Sequence, residues 1–358
     1  MIVVFALILA ALALILQRRS MANGLDSVKE DHWMDASIVE LDETFHVVLS
    51  LKNTGRGLVP FVRISESIPH NIKLLMEGGN VIADARGGKL VTFSTWLRPR
   101  QEVRKYLPVM ALKRGRYFLK EMLVSGGDFL GLNERDRSYS AFREVVAVPR
   151  PAPSQTVGEV LGGFMGDVSV RRFIMEDPVL TLGYREYTGR EPMKMISWSQ
   201  SARGMGLMVK KYDYTLEPAV SVLMNIHSDA ENCDDVLERC FSITRTVCET
   251  LEERGIQYDF ATNAVIAGAM SDLSSMSEGL GQRHLEGVLE ALGRATYTVS
   301  GSADKLLSGS ATASYGSARG RILITPDRTM LQPQLLNRLR EVSGGNLLVI
   351  DASEVEPW

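Results

Sequence analysis

The sequence predicts a multidomain protein with an amino-terminal transmembrane helix, a β-sandwich and a carboxyl-terminal α/β domain. Three observations predict this organisation. The first sixteen residues, "MIVVFALILAALALIL", carry no charged side chain. Residues 36–150 alternate between apolar and polar side chains over short runs. After residue 216, patterns typical of strands alternate with patterns typical of helices. The chain has 358 residues, which is enough for two or three domains.

The apolar start predicts a membrane-spanning helix over residues 1–17, because about 17 residues are the shortest helix that crosses a bilayer. Arg18 and Arg19 follow the apolar run rather than precede it. Basic residues stay on the cytoplasmic side, so we expect a single-pass protein of the cell membrane with most of its chain in the cytoplasm. A signal peptide and a buried core helix are the alternatives. Residues 18–35 are polar and predict a juxtamembrane linker.

Residues 36–150 predict a β-sandwich of immunoglobulin-like type. The run "FHVVLSLKN" places Phe45, Val47, Leu49 and Leu51 on one face, and the runs "PFVRISESIP" and "KLVTFSTWL" alternate in the same way between turn residues. The stiff run "PRPAPS" over residues 149–154 indicates the domain boundary. The Gly-rich run that follows, "TVGEVLGGFMGDVSVRRF" over residues 156–173, predicts irregular structure.

Residues 216–358 predict an α/β domain with a parallel sheet and helices on both faces. Buried strands are indicated by "AVSVLMNI", "IQYDF", "RILIT" and "NLLVID", and apolar positions between Leu237 and Leu251 recur with helical spacing. The three cysteines, at positions 233, 240 and 248, are expected to be core residues of that helix. The run from Ser300 to Arg319 is rich in small residues and predicts a mobile loop.

Charge and motifs argue against several function classes. The formal net charge of -3 gives no general attraction to nucleic acid, so we expect no nucleic-acid partner. The sequence contains no GxxxxGK[ST], no GxGxxG after a strand, no GxSxG and no HExxH. We therefore expect a protein that is not an enzyme and has no cofactor.

One degraded metal motif stands at the end of the first strand of the α/β domain. A von Willebrand A-like (Rossmann-type) domain carries Asp-x-Ser-x-Ser there, which binds a hard cation such as magnesium. This chain has Asn225, His227 and Asp229 at those positions, with Asp327 and Asp351 as further candidates. Amide and imidazole groups suit magnesium poorly, so we expect no metal. A divalent-metal-dependent ligand-binding module of adhesion type is the alternative function.

The segment over residues 151–215 contains the run "GYREYTGREPMKMISWSQSARG". Its side chains resemble the signature R-E-Y-x-x-G-D-x-x-x-x-I-x-W-x-x-[ST]-A-R-x-x-x-L-x-V-[KR] of the bacterial and archaeal family catalogued as domain of unknown function 58. The matching residues are Arg185, Glu186, Tyr187, Ile196, Trp198, Ser201, Ala202, Arg203, Leu207, Val209 and Lys210.

This chain departs from the family pattern in four places. The Gly-Asp pair of the family falls on Arg190 and Glu191, and Gly189 comes one residue early. Ser197 stands where the family has Asp or Asn, the amino terminus has one apolar segment instead of two, and the metal motif is degraded.

The resemblance implies a non-enzymatic, membrane-anchored adaptor or scaffold that acts with a MoxR-type AAA ATPase in assembling or maturing other protein complexes. The residues themselves leave three hypotheses open for the segment. Its Arg and aromatic side chains could clamp two domains together, could form a partner-binding surface, or could bind an anion through Arg185, Arg190, Lys194 and Arg203.

Overall fold

The structure is a computed structural model that divides the chain into two compact units, residues 1–150 and 151–358. It describes residues 4–5, 25–76, 80–83, 88–127, 134–172, 177–189, 191–204, 206–213, 219–228, 233–268, 274–312 and 319–355.

Ten strands form the first unit. They are β1 (Val28–Met34), β2 (Ile38–Val39), β3 (Thr44–Asn53), β4 (Val59–Ile68), β5 (Ile72–Leu74), β6 (Asn80–Ala83), β7 (Lys89–Leu97), β8 (Glu102–Ala111), β9 (Gly115–Gly127) and β10 (Glu134–Ala147). One sheet has the order β1-β3-β8-β5 and the other has the order β2-β10-β9-β4-β7-β6. Neighbouring strands are antiparallel, apart from the parallel pair β2 and β10.

The two sheets share one apolar core. Val47 and Leu49 of β3 belong to the same buried cluster as Val62 and Ile64 of β4, and all four are at most 1% exposed. Burial alternates along most of β4, because successive side chains point to opposite faces, whereas Val47–Leu51 of β3 are all buried. The β-sandwich prediction is therefore confirmed, and the immunoglobulin-like description fits this two-sheet arrangement.

The second unit contains both helices and strands. Its helices are α1 (Ser154–Arg172), α2 (Trp198–Ser201), α3 (Asp234–Glu253), α4 (Gln282–Arg294), α5 (Ala303–Thr312) and α6 (Pro333–Val342). Its strands are β11 (Asp177–Glu186), β12 (Met208–Asp213), β13 (Ala219–Met224), β14 (Gln257–Thr262), β15 (Ala264–Ile266), β16 (Ser275–Gly279), β17 (Ala295–Val299), β18 (Gly320–Thr325) and β19 (Leu347–Asp351).

The main sheet of this unit has the order β16-β14-β13-β18-β19. Strands β14, β13, β18 and β19 are parallel, whereas β16 at the edge is antiparallel to β14. One face of the sheet packs on the apolar stripe of α3, and side chains of α1 and α4 belong to the same cluster. The opposite face packs on α5 and α6 through a much smaller cluster that contains Leu223 and Leu323.

The predicted fold class needs correction. Strand residues clearly outnumber helical residues in the described chain. The von Willebrand A-like, Rossmann-type assignment is wrong, because the sheet is mixed rather than all-parallel and a separate two-stranded sheet of β15 and β17 interrupts the strand–helix alternation.

The predicted transmembrane helix over residues 1–17 lies outside the described residues, apart from residues 4–5. In the part of the chain that the structure describes, no helix is both long and apolar enough to cross a membrane. The membrane location stays a prediction.

Three local predictions were also wrong. Strand β1 lies inside the predicted linker 18–35, and its buried Val28 and His32 belong to the sandwich interior. Helix α1 covers residues 156–172 of the run that was predicted to be irregular. Helix α5 occupies much of the predicted mobile loop, with Ala303 and Leu307 buried one turn apart.

Candidate functional site

The signature segment folds around a β-hairpin. Strands β11 and β12 pair antiparallel, with Arg185 opposite Val209. Ile196 forms an isolated antiparallel bridge to Val209 on the other side of β12. Ile196 and Val209 are both buried, at 7% and 0% exposure. The segment thus has a small apolar centre of its own, which holds its backbone in place.

Ser201 ties the turn that follows Trp198 to strand β12. Its hydroxyl donates to the Ser197 carbonyl at 2.8 Å and accepts from the Met208 backbone N–H at 2.8 Å. The Ser197 N–H donates to the Met208 carbonyl at 2.8 Å. Ala202 follows, is exposed, and donates its backbone N–H to the Trp198 carbonyl at 3.1 Å. The hydroxyl at position 201 is therefore a structural requirement of the segment.

Arg185 and Glu191 fix the other turn of the segment. Arg185 donates to Glu191 Oε1 at 2.5 Å, and the same carboxylate accepts from the Thr188 hydroxyl at 2.8 Å and the Thr188 backbone N–H at 3.1 Å. Hydrogen bonds from Arg185 and then Thr188 lower the pKa of the Glu191 carboxyl to about 2. Gly189 has a φ of 89°, a conformation that glycine adopts without strain.

Several apolar side chains of the segment face solvent. Trp198 is 59% exposed, and Tyr184, Met193 and Leu207 are 42%, 70% and 43% exposed. We call these four residues the signature patch. Sequence reasoning selected Trp198 but missed the other three. Tyr187, which it did select, is half-buried and donates its backbone N–H to the Leu207 carbonyl at 2.8 Å.

The segment is also basic. Residues 183–211 contain six Lys or Arg and two Glu. Lys194, Arg203 and Glu186 are exposed and Lys210 is half-buried. Among the described residues, no carboxylate pairs with Lys194, Arg203 or Lys210. Arg190, the fourth cation of the predicted anion site, lies outside the described residues. The segment thus combines exposed apolar area with unpaired positive charge.

The structure places the metal candidates in a different context. Asn225 is fully buried, and its Oδ1 accepts from the His227 backbone N–H at 3.1 Å and from Asn263 Nδ2 at 2.7 Å. Its Nδ2 donates to Thr325 Oγ1 at 3.1 Å. The amide is therefore committed to hydrogen bonds that hold strand ends together.

The acidic candidates do not converge on Asn225. Asp327 accepts from Thr329, Asp351 accepts from the backbone of Arg328, and Asp229 lies outside the described residues. Within the described ranges, no group of three or more His, Cys, Asp or Glu side chains is arranged to hold a metal ion.

Comparison with known proteins gives no family. No family model matches the chain, and no curated protein matches it. Solved structures that resemble part of it include the CARDB domain of the PF1109 protein from Pyrococcus furiosus, in complex with di-metal ions (12% identity, 34% of this chain, 93% of that chain, TM-score 0.21). A cohesin module from a Clostridium perfringens family 33 glycoside hydrolase is 14% identical over 34% of this chain and 96% of that one, with a TM-score of 0.24.

A PapD-like domain of human CEP192 is 13% identical over 34% of this chain and 86% of that one, with a TM-score of 0.20. At such TM-scores, these likenesses carry no argument about what this chain binds.

Proposed function

We propose that this protein is a non-enzymatic adaptor that docks a partner protein on the signature patch, and that the partner is a MoxR-type AAA ATPase. The observation that carries the proposal is the 59% exposure of Trp198 at the centre of the signature segment. An exposed tryptophan offers a large apolar area with a hydrogen-bonding tip, so its exposure favours docking of a partner.

The chemistry of the patch supports a protein partner with an acidic surface. Trp, Tyr, Met and Arg side chains are enriched in protein interfaces, and truncation of a central Trp often costs 2 kcal/mol or more of binding free energy. Lys194 and Arg203 are exposed, pair with no carboxylate of the described chain, and add positive charge to this segment. Complementary charge speeds association and selects partners of opposite sign.

The backbone around the patch is preorganised for docking. Ser201 fixes the turn that begins at Trp198, and the Arg185–Glu191 pair fixes the turn that precedes Met193. A patch held in one conformation loses less conformational entropy when a partner binds. The identity of the partner as an AAA ATPase rests on the resemblance of the segment to its family signature.

Binding of a purified MoxR-type AAA ATPase from the source organism to the full chain tests the proposal. We expect Trp198→Ala to weaken binding about 30-fold, which corresponds to roughly 2 kcal/mol. Arg203→Glu should also weaken binding and reduce its salt dependence. Biolayer interferometry in ATP and in ADP would measure both effects.

Trp96→Ala is the matched control, because Trp96 is 49% exposed but lies on β7 of the sandwich. It should bind like the unmodified protein. Equal binding by the Trp198 and Trp96 variants, with both folded by circular dichroism, would reject the docking role of the patch. Absence of binding in either nucleotide state would reject the ATPase as the partner.

A further inference from the structure

A cavity of about 540 Å³ lies on the face of the main sheet that α5 and α6 cover. Leu223 of β13 and Ala261 of β14 contribute apolar lining, and the cavity extends to residues at the carboxyl end of β14. In open sheets of parallel strands, ligands bind outside the carboxyl ends of the strands, and this volume is that of a small-molecule site. The cavity is lined by no residue of the signature patch, so it is a separate candidate site.

The charged groups on one side of the cavity neutralise one another. Arg319 donates to Asp259 Oδ2 at 2.7 Å and also pairs with Glu278. The buried Arg321 adds a second positive charge, because strand pairing places Arg321 and Asp259 on either side of Ser221. Two guanidiniums therefore balance two carboxylates, and this side offers a ligand no net charge.

Lys305 adds a positive charge that no carboxylate offsets. Its side chain is exposed and lines the cavity, and among the described residues no carboxylate pairs with it. The neighbouring Asp304 does not line the cavity, and its carboxylate accepts from Gln332 at 3.1 Å. An anion in the cavity is therefore attracted to Lys305.

The chain just before α5 is held at the carboxyl end of β14. Asn263 Nδ2 donates to the Gly301 carbonyl at 3.3 Å, and the Ser300 backbone N–H donates to the Asn263 carbonyl at 2.7 Å. Thr262 precedes Asn263, Ser302 follows Gly301, and both residues line the cavity. The Thr262 and Ser302 side chains therefore belong to the same end of the cavity.

These two hydroxyls can donate hydrogen bonds to a ligand. Thr262 Oγ1 accepts from the Ala264 backbone N–H at 3.0 Å, and Ser302 Oγ accepts from the Lys305 backbone N–H at 3.3 Å. Neither hydroxyl donates to another described residue. Together with the Lys305 ammonium they form a group of donors without acceptors. A phosphate group suits such donors best, because its three terminal oxygens all accept, whereas a carboxylate has two.

The edge strand adds neutral hydroxyls to the lining. Ser275 and Ser277 of β16 are exposed, line the cavity, and make no side-chain hydrogen bond to another described residue. A hydroxyl both donates and accepts, so it is matched by the hydroxyls of a sugar.

We propose that this cavity binds a small phosphorylated sugar, with its phosphate against Lys305, Ser302 and Thr262 and its sugar hydroxyls against Ser275 and Ser277. Charge-assisted hydrogen bonds to the phosphate supply most of the affinity. The neutral hydrogen bonds to the sugar contribute less and select a hydroxylated ligand over a bare anion.

Calorimetric titration of the full chain with four matched probes tests the site. They are glucose 6-phosphate, glucose, which lacks the anion, inorganic phosphate, which lacks the sugar, and glucuronate, which has a carboxylate at the carbon that carries the phosphate. We expect glucose 6-phosphate to bind about tenfold more tightly than each of the other three, since each lacks or weakens one set of contacts.

Equal affinity for inorganic phosphate would reject the sugar, and equal affinity for glucuronate would reject the phosphate. Absence of glucose 6-phosphate binding at millimolar concentrations would overturn the whole proposal.

Variants assign each end of the ligand. Lys305→Met should weaken binding of glucose 6-phosphate about tenfold, to the level of glucose. Ser275→Ala should weaken it about threefold and leave binding of inorganic phosphate unchanged. Lys211→Met is the matched control, because Lys211 is an exposed lysine of the same unit that does not line the cavity.

Lys305 and Ser275 are both exposed, so both variants should fold, and circular dichroism would check this. A folded Lys305→Met variant that binds glucose 6-phosphate like the unmodified protein would contradict the assignment of the phosphate to Lys305.

Discussion

The β-sandwich contains two histidine–carboxylate pairs of the same chemistry, one in its interior and one on its surface. His32 Nδ1 lies 2.7 Å from Glu66 Oε2, and both side chains are 0% exposed. His46 Nδ1 lies 2.9 Å from Asp35 Oδ2, and these side chains are 40% and 42% exposed. The distances are nearly equal, so the comparison isolates the effect of burial on an ion pair.

Neither member of the interior pair contacts water, so water cannot replace the hydrogen bond between them. His32 Nε2 lies 2.7 Å from the Ala141 carbonyl, which can only accept, so Nε2 carries a proton. A second proton is shared between Nδ1 and Glu66. Glu66 Oε1 is buried and has no hydrogen-bond partner among the described residues. Removing one member therefore leaves a buried polar group unsatisfied, whereas either member of the surface pair can turn to solvent.

The largest expected effect comes from breaking the interior pair. His32→Ala should lower the free energy of unfolding of the sandwich by roughly 3–5 kcal/mol, because Glu66 is then buried without its partner. Hydrogen exchange followed by mass spectrometry would measure this as lost protection in peptides from β1 and β4.

His46→Ala is the matched control and should cost at most about 1 kcal/mol, the usual limit for an exposed pair. Peptides from α3, in the other unit, should keep their protection in both variants. Similar losses from His32→Ala and His46→Ala would show that burial does not separate the two pairs.

The same contrast between interior and surface explains which elements could be predicted from sequence. The run "FHVVLSLKN" and the helical stripe from Leu237 to Leu251 are local patterns. The predicted inward residues of the run lie in the sandwich core, and the stripe is buried in a helix. Strand β1 was missed because its run "VKEDHWM" has three consecutive charged residues, and the partner of the buried His32 is Glu66, which lies 34 residues away. No local pattern encodes such a partner.

Helix α1 was missed for a different reason. Its four glycines suggested irregular structure, yet its buried residues follow helical spacing and are Val157, Leu161, Phe164 and Met165. Apolar periodicity was the better signal there than glycine content.

The candidate site was predictable in position but not in detail. A gap-free match of spaced residues selected the segment, and Trp198 is one of the residues that this match includes. The bridging role of Ser201 and the exposure of Met193 and Leu207 depend on how β11 and β12 pair, which spacing alone does not reveal.

Varying the pH sharpens the comparison between the two pairs. Burial opposes the charged form of His32, but the hydrogen bond and charge of Glu66 outweigh it and raise the pKa of the imidazole. Burial also raises the pKa of Glu66, against the effect of His32. Above about pH 6.5 the folded pair therefore holds a proton that the unfolded chain has lost. The stabilisation that the His32 proton contributes is fully present below that pH. The free energy of unfolding then falls as the pH rises toward the folded pKa of His32, by up to about 1.4 kcal/mol per pH unit.

Hydrogen exchange between pH 6 and pH 9, corrected for the pH dependence of intrinsic amide exchange, would measure this slope in β1 peptides. Glu66→Gln removes the charge but keeps a hydrogen-bonding group beside Nδ1, so the slope should flatten. Asp35→Asn should leave it unchanged. A slope that persists in Glu66→Gln would assign the lost proton to another group.

The smallest effect concerns the Arg185–Glu191 pair of the signature segment, in which Arg185 is 46% exposed. Such a pair fixes a turn without stabilising a core, so its effect is best measured through the titration of Glu191 itself. Glu191 should titrate with a pKa of about 2 by carbon-detected NMR, and Arg185→Gln should move that pKa up toward 4.5. Because the folded pKa of Glu191 is lowered, the contribution of the pair to stability is present above the ordinary pKa and is lost as pH falls through about 2.

Asp327, whose pKa is lowered by Thr329, serves as the control and should titrate identically in both proteins. If Glu191 titrates at its ordinary value in the unmodified protein, the turn that presents the signature patch is not held by this carboxylate.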